Sequence, residues 1–320
     1  MRVLVVTNIY PTETMPAFGI YVYEQVQSLR RKGLDVDVLF INGKANTWNY
    51  ALGAWQVLRQ VRTAAYDIVH AHYVFSGILA RLQFRYPLVV TFHGAGEMAG
   101  WVGWLCRVLA PWVDAFTVTS VEHAAQLGHP GARIVPCGID LELFRPMPMR
   151  EARQRLKLAE DKKLVLFAAD LRPEKRIDVA RAAIALLQQE DASVELVVVS
   201  GRPHEEIPLF MNACDVLVLT SDYEGSPQVI KEAMACNLPI VSVDVGDVAE
   251  VIGNTEGCFL CQRTPEDVAD KLRRALTWGR RTGGRSAVEH LSLDRIADRI
   301  ISIYHQVLAK RGRTPMRDSR

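Results

Sequence analysis

Two carboxylates, Glu224 and Glu232, stand with seven residues between them in Ser221-Asp222-Tyr223-Glu224-Gly225-Ser226-Pro227-Gln228-Val229-Ile230-Lys231-Glu232-Ala233-Met234-Ala235. Gly225 allows a sharp turn, and Ser226, Gln228 and Val229 then open a helix whose first N–H groups have no partner within it. Those amides lie at the positive end of the helix and favour an anionic ligand. A carboxylate beside free amides can hold a polyhydroxyl ligand, and a second carboxylate one turn deeper can accept both hydroxyls of a ribose. Taken alone, Glu232 also fits an acid that only complements the helix dipole. The Glu-Gly-Ser-Pro ahead of it does not fit that reading.

Other reactive residue types carry weaker signals. His70 and His72 alternate along one strand and share a face. No acidic third ligand is near in sequence, so they read as cleft lining or core and not as a metal site. Cys258 and Cys261 form a C-x-x-C inside the apolar run Gly257-Cys258-Phe259-Leu260-Cys261. Without a second pair they read as buried thiols. The six cysteines are spread through core elements, which suits a reducing compartment.

These side chains need a scaffold, and 320 residues suffice for two domains of about 150 residues each. Hydrophobic residues make up 49% and charged residues 23%, as in an ordinary globular protein. Uniformly apolar, β-branched strands are expected at Val3–Thr7, Val36–Ile41, Ile68–His70, Leu88–Phe92, Ala115–Thr119 and Arg133–Val135, with helical periodicity between them. Strands of this kind are buried on both faces, which predicts a parallel sheet between helices. Arg145-Pro146-Met147-Pro148 breaks the pattern and reads as a linker. A second β/α series follows through helix Pro265–Trp278. The expected division is 1–146, 147–292, a last helix at 293–310 that packs back on the first domain, and a basic tail at 311–320. The fold class is α/β, with two Rossmann-like doubly wound domains facing a central cleft. The N-terminal Arg2-Val3-Leu4-Val5-Val6-Thr7 reads as a first core strand and not a leader.

At this point the chain resembles the retaining GT-B glycosyltransferases of family four, group one. Glu224…Glu232 in its Glu-Gly-Ser-Pro and Glu-Ala-Met-Ala context resembles their paired-glutamate motif. Tyr10-Pro11…Phe18-Gly19-Ile20 is similar to the glycine loop after the first strand, and Thr91-Phe92-His93-Gly94 to the histidine loop. Ile134-Val135-Pro136-Cys137-Gly138-Ile139-Asp140 resembles the Pro-Asn-Gly-Val-Asp turn, and Pro173-Glu174-Lys175 the phosphate-lysine segment. The resemblance implies that Glu224 contacts donor-sugar hydroxyls, Glu232 the ribose, Lys175 the diphosphate, and that His93 orients the sugar. Gly19, Gly225, Ser226, Gln228 and Val229 would complete the donor site. The family arginine five residues before the lysine is replaced by Asp170, so Arg172 is the candidate substitute.

The resemblance further implies transfer of a sugar from a nucleotide-diphosphate sugar to a hydroxyl of a glycan or glycolipid acceptor. Retention of configuration, no metal and no organic cofactor would follow, with a cytoplasmic location and a role in bacterial cell-surface polysaccharide or glycolipid synthesis. A net charge of +2 gives no reason to expect nucleic acid. The charge is uneven: residues 147–270 hold 13 Lys and Arg against 22 Asp and Glu, and residues 271–320 hold 13 against 4. The basic end, with Trp101, Trp104, Trp112 and Arg107, makes peripheral contact with an anionic membrane a candidate. Two rival readings are a non-catalytic sugar-nucleotide-binding partner subunit and an NAD-dependent oxidoreductase. The second rests on Gly94-Ala95-Gly96…Gly100 after a strand, with Asp114 further on. The loops Asn42–Ala54 and Gly94–Gly103 are expected to read the acceptor.

Overall fold

The computed structural model describes residues 1–15, 18–94, 97 and 100–312. The chain divides into two units, Met1–Gly138 together with the chain from Leu293 on, and Ile139–Ser292.

In the first unit β1 (Arg2–Thr7), β2 (Asp35–Phe40), β3 (Ile68–His72), β4 (Leu88–Phe92), β5 (Ala115–Val118) and β6 (Arg133–Ile134) form a parallel sheet ordered β2-β1-β3-β4-β5-β6. The central strands β3, β4 and β5 are buried throughout, which is why their sequences are continuous apolar runs. Leu4, Val6, Val69, Ala71, Val90 and Phe92 share one sheet face and one core with Val57 and Val61, Val74 and Ala80, and Cys106 and Leu109. The helices carrying those pairs, Asn49–Thr63, Val74–Arg81 and Gly100–Leu109, therefore form one layer over that face. The opposite face is covered by helices that include Ile20–Arg31 and Leu293–Lys310, which pack on each other.

The second unit orders β7 (Lys163–Ala168), β8 (Val194–Val199), β9 (Val216–Leu219), β10 (Ile240–Val243) and β11 (Cys258–Cys261) as β11-β10-β9-β7-β8, again parallel. Connections leave β7 toward β8 on one side and reach β9 on the other. The β7–β9 boundary is thus a topological switch point, where the loops after two adjacent strands splay apart and leave room for a ligand.

Two expectations need correcting. The Arg145-Pro146-Met147-Pro148 segment is no free linker, because Met147 N–H donates to Asn212 Oδ1 (2.8 Å) and Asn212 Nδ2 donates to the Arg145 carbonyl (3.0 Å). The chain passes between units at Gly138–Ile139 and returns at Ser292–Leu293. The Asn42–Ala54 loop runs from Asn49 into helix Asn49–Thr63. Its outward side carries Trp48, Leu52 and Trp55, which blurs the apolar period that marks a helix. The C-x-x-C lies on β11, where residues three apart point to opposite faces and cannot share a metal. Burial pushes both thiols up to about 12.

Of the helical periodicity that the sequence shows over Met98–Leu109, Met98 lies outside the described residues, as do Ala95 and Gly96 of the glycine motif and residues 313–320 of the basic tail. Among the described residues no helix is long and apolar enough to cross a membrane.

Candidate active site

The second unit gathers its functional side chains at the switch point. The loop after β7 ends in a short turn, Pro173–Lys175, and Arg176 then takes a left-handed conformation (φ 51°) to start helix Ile177–Glu190. Thr220, directly after β9, donates its hydroxyl to the carbonyls of Lys175 (3.1 Å) and Arg176 (2.9 Å), and Asp222 N–H donates to Glu174 (2.8 Å). Arg263 ties the carbonyls of Ser221 and Asp222 from outside. Two loops far apart in sequence are thereby one rigid platform.

On that platform Glu224 Oε1 accepts from Lys175 Nζ at 2.5 Å and from Ser221 Oγ at 2.7 Å. Both members of the ion pair are largely shielded, with side chains 15% and 13% exposed. A pair so placed presents a cation and a carboxylate side by side, the first suited to a phosphate and the second to sugar hydroxyls. Arg172 lies on the same loop, but it is exposed and pairs with Glu174 (3.1 Å). Arg176 is engaged by Asp178 and Asp222. Asp170 itself is exposed, so it leaves no buried charge where the family arginine would stand.

Glu232 sits in helix Gln228–Ala235, nearly buried, and accepts from His204 Nε2 at 2.9 Å. His204 was not among the sequence candidates. It lies on the short Gly201–Glu205 connection, with its ring 5.1 Å from Phe144. Beside it, fully buried Lys231 donates to Asp247 Oδ2 (2.8 Å) and to Ser226 Oγ (2.6 Å), and Ser226 in turn donates to Asp247 (2.6 Å). This triad commits the Ser226 hydroxyl and fastens the start of the helix to the Asp244–Asp247 loop. Gly246 (φ +61°) completes the fastening, since a Cβ there would lie 2.5 Å from the Gly225 carbonyl oxygen. Gln228 and Val229 occupy the first turn of the helix, whose N–H groups precede the intrahelical ladder.

The first unit offers a different surface. Gly19 caps helix Ile20–Arg31 at φ +73°, and a Cβ there would fall 2.2 Å from Ile9 Cγ2 and 2.8 Å from its carbonyl carbon. Only glycine allows the loop after β1 to fold back on the helix start. His93 follows β4, nearly buried, with its Nε2 2.7 Å from His72 Nδ1. His70 stacks on His72 (4.5 Å between centroids) and His72 on His93 (5.0 Å). His70 is itself bonded to Tyr304 and Thr91, so the stack joins His93 to helix Leu293–Lys310. Desolvation holds His70 and His93 down to about 3, and drives His72 well below its usual value. All three rings are neutral at physiological pH. A neutral His93 can donate or accept a hydrogen bond, which suits an orienting role.

Glu97 is a second residue that the sequence did not reveal. Its buried carboxylate accepts the His93 N–H (2.8 Å) and the Val74 N–H, pinning the histidine loop to the start of helix Val74–Arg81. Burial raises it to about 7 despite these donors. Tyr73, just before that helix, is held at φ 70°, and its ring and that of Tyr21 each lie 5.0 Å from His93. Among the described residues no cluster of three or more metal-ligating side chains occurs.

Two parallel α/β units, each opening its loops at the carboxyl ends of its strands, have the architecture of the GT-B glycosyltransferases. A sucrose-phosphate synthase from Thermosynechococcus elongatus superposes with a TM-score of 0.83 over 97% of this chain and all of that one, at 21% identity. HepE of Anabaena, solved with UDP and glucose, superposes at 0.69 over 98% and 99%, with 18% identity. In sequence, the family described as Glycosyltransferase Family 4 matches residues 18–143, and that described as Glycosyl transferases group 1 matches residues 198–281. TuaC of Bacillus subtilis, assigned as a glycosyltransferase of teichuronic acid biosynthesis, is 24% identical over 86% of this chain and 89% of its own length. A D-inositol 3-phosphate glycosyltransferase of Geodermatophilus obscurus is 28% identical over 75% of this chain and 66% of its own. The chain belongs to the group 1, family 4 glycosyltransferases.

Proposed function

We propose that this glycosyltransferase retains anomeric configuration, moving a hexosyl group from a nucleotide-diphosphate hexose to a hydroxyl of a growing cell-surface polysaccharide or glycolipid on the cytoplasmic side. The Lys175–Glu224 pair at the β7–β9 switch point carries the reading. Glu232, held by His204, supplies the ribose contact one turn deeper. The bond from the anomeric carbon to the phosphate oxygen breaks, and the acceptor oxygen bonds to that carbon from the same face. The acceptor proton passes to a phosphate oxygen and the nucleoside diphosphate leaves. Lys175 and the amides of Gln228 and Val229 take up the developing phosphate charge, so the step asks for no metal ion. His93, neutral and fixed by His72 and Glu97, orients the sugar.

HepE was solved with UDP-glucose, which makes UDP-hexoses the first donors to test, and TuaC suggests an anionic glycan product. A thermal-shift screen of nucleotide sugars tests donor class. A true donor at many times its dissociation constant stabilises by roughly 2–4 kcal/mol. Proton NMR of the first-formed product tests the stereochemistry. A product of inverted anomeric configuration overturns retention, and stabilisation by NAD alone overturns the donor assignment.

A further inference from the structure

The helix layer Asn49–Thr63, Val74–Arg81 and Gly100–Leu109 covers one face of the first sheet, so its outward sides look the same way. Five tryptophans stand exposed on these helices and their ends: Trp48 at 79%, Trp55 at 55%, Trp101 at 65%, Trp104 at 57% and Trp112 at 67%. Exposed aromatics at this density, in one layer of a folded unit, mark an interaction surface. The charge between them has one sign. From Lys44 to Trp112 the only carboxylates are Asp67 and Glu97, both buried, while Lys44, Arg59, Arg62, Arg85 and Arg107 are exposed. Arg59 lies over the Trp55 ring (5.3 Å), which keeps cation and indole together at the surface.

The opposite layer shows what an ordinary solvated face looks like here. Helices Ile20–Arg31 and Leu293–Lys310 carry both signs, with ion pairs Lys32–Asp298 and Arg31–Asp294.

We propose that the three-helix layer of the first unit docks on an anionic lipid surface, with the tryptophans entering the headgroup region and the arginines meeting lipid phosphates. Indole has an apolar body and one N–H donor, which suits a water–hydrocarbon boundary. A protein partner would call for carboxylates among these cations, and the three helices expose none; Glu122, exposed on the neighbouring helix Val121–Leu127, stands only at their edge.

Flotation of the intact protein with vesicles tests this without any turnover, so its failure leaves the donor chemistry standing. Vesicles with about 30 mol% phosphatidylglycerol should bind at low salt, at least about tenfold more tightly than pure phosphatidylcholine. Salt of about 0.5 M should weaken binding about tenfold. Trp101→Ser/Trp104→Ser/Trp112→Ser should lower it by about tenfold or more at an unchanged unfolding temperature. In the unaltered protein, tryptophan emission should shift to the blue on phosphatidylglycerol vesicles and be quenched by brominated lipid. Absence of binding to anionic vesicles at low salt overturns the proposal, as does full binding by the triple variant. A dimer that the triple variant dissolves, with no vesicle binding by either protein, overturns it in favour of a second copy of the chain.

Discussion

The two units hold their functional residues by opposite means. In the second, every key side chain is met by an opposite charge or a hydrogen-bond partner: Lys175 with Glu224, Glu232 with His204, Lys231 with Asp247. In the first, His93 is held by neutral rings and by the backbone contacts of one buried carboxylate, Glu97. The difference fits the roles proposed for the two units. A diphosphate, the proposed ligand of Lys175, brings charge that must be matched, and ion pairs such as Lys175–Glu224 can exchange partners when it arrives. Sugar hydroxyls, the proposed ligands of Glu224 and His93, need a donor or acceptor but no charge at His93, and desolvation keeps that ring neutral.

The largest expected effect breaks the charged side of this contrast. Glu224→Ala should lower kcat by about 10²–10³-fold, because it removes the sugar contact and frees Lys175 from its place. Stopped or continuous assays of nucleoside diphosphate release measure this directly. Lys175→Met should cost about 10²-fold in kcat/KM, with most of the loss in kcat if it acts on the leaving phosphate.

His204→Ala leaves the Glu232 carboxylate nearly buried with one partner fewer. Donor affinity by calorimetry should fall about tenfold while kcat changes less, since the ribose grip is equal in ground and transition states.

The smallest effect sharpens the neutral side and concerns pH. His70 and His93, held near 3 in the fold, take protons in the unfolded chain below about 6.5, so their contribution to stability is lost as pH falls from 6.5 toward 3. Glu97 has the opposite sign. Raised to about 7 from 4.5, it keeps its proton in the fold after the unfolded chain has released it, so its contribution falls as pH rises from 4.5 through 7. Glu97→Gln should therefore gain on the wild type in unfolding temperature between pH 5 and pH 8. A difference that stays constant across that range would mean that Glu97 is ionised throughout.

How much of this was legible in sequence follows the same divide. Strands buried on both faces announced themselves as apolar runs, and Leu88–Phe92 lies where the pattern placed it. Glu224 and Glu232 were legible from their spacing and the Glu-Gly-Ser-Pro between strand and helix, and Lys175 and His93 through the resemblance of their segments to those of the family. Their partners were not. His204 reaches Glu232 across 28 residues, and Asp247 reaches Lys231 across 16, through folding that no local period records. The His70–His72–His93 stack depends on the pairing of β3 with β4, and only the shared face of the first two rings was visible beforehand. The helix at Asn49–Thr63 was hidden by its exposed tryptophans, the same residues that now set that face apart.

The central claim is that the Lys175–Glu224 platform carries sugar transfer. Side-by-side measurement of nucleoside diphosphate release by the wild type and Glu224→Ala, with a panel of nucleotide hexoses and equal unfolding temperatures, tests it most directly. Release by the wild type with at least one donor, reduced about 100-fold or more in the variant, is the expected result. Equal release by both proteins would contradict the account.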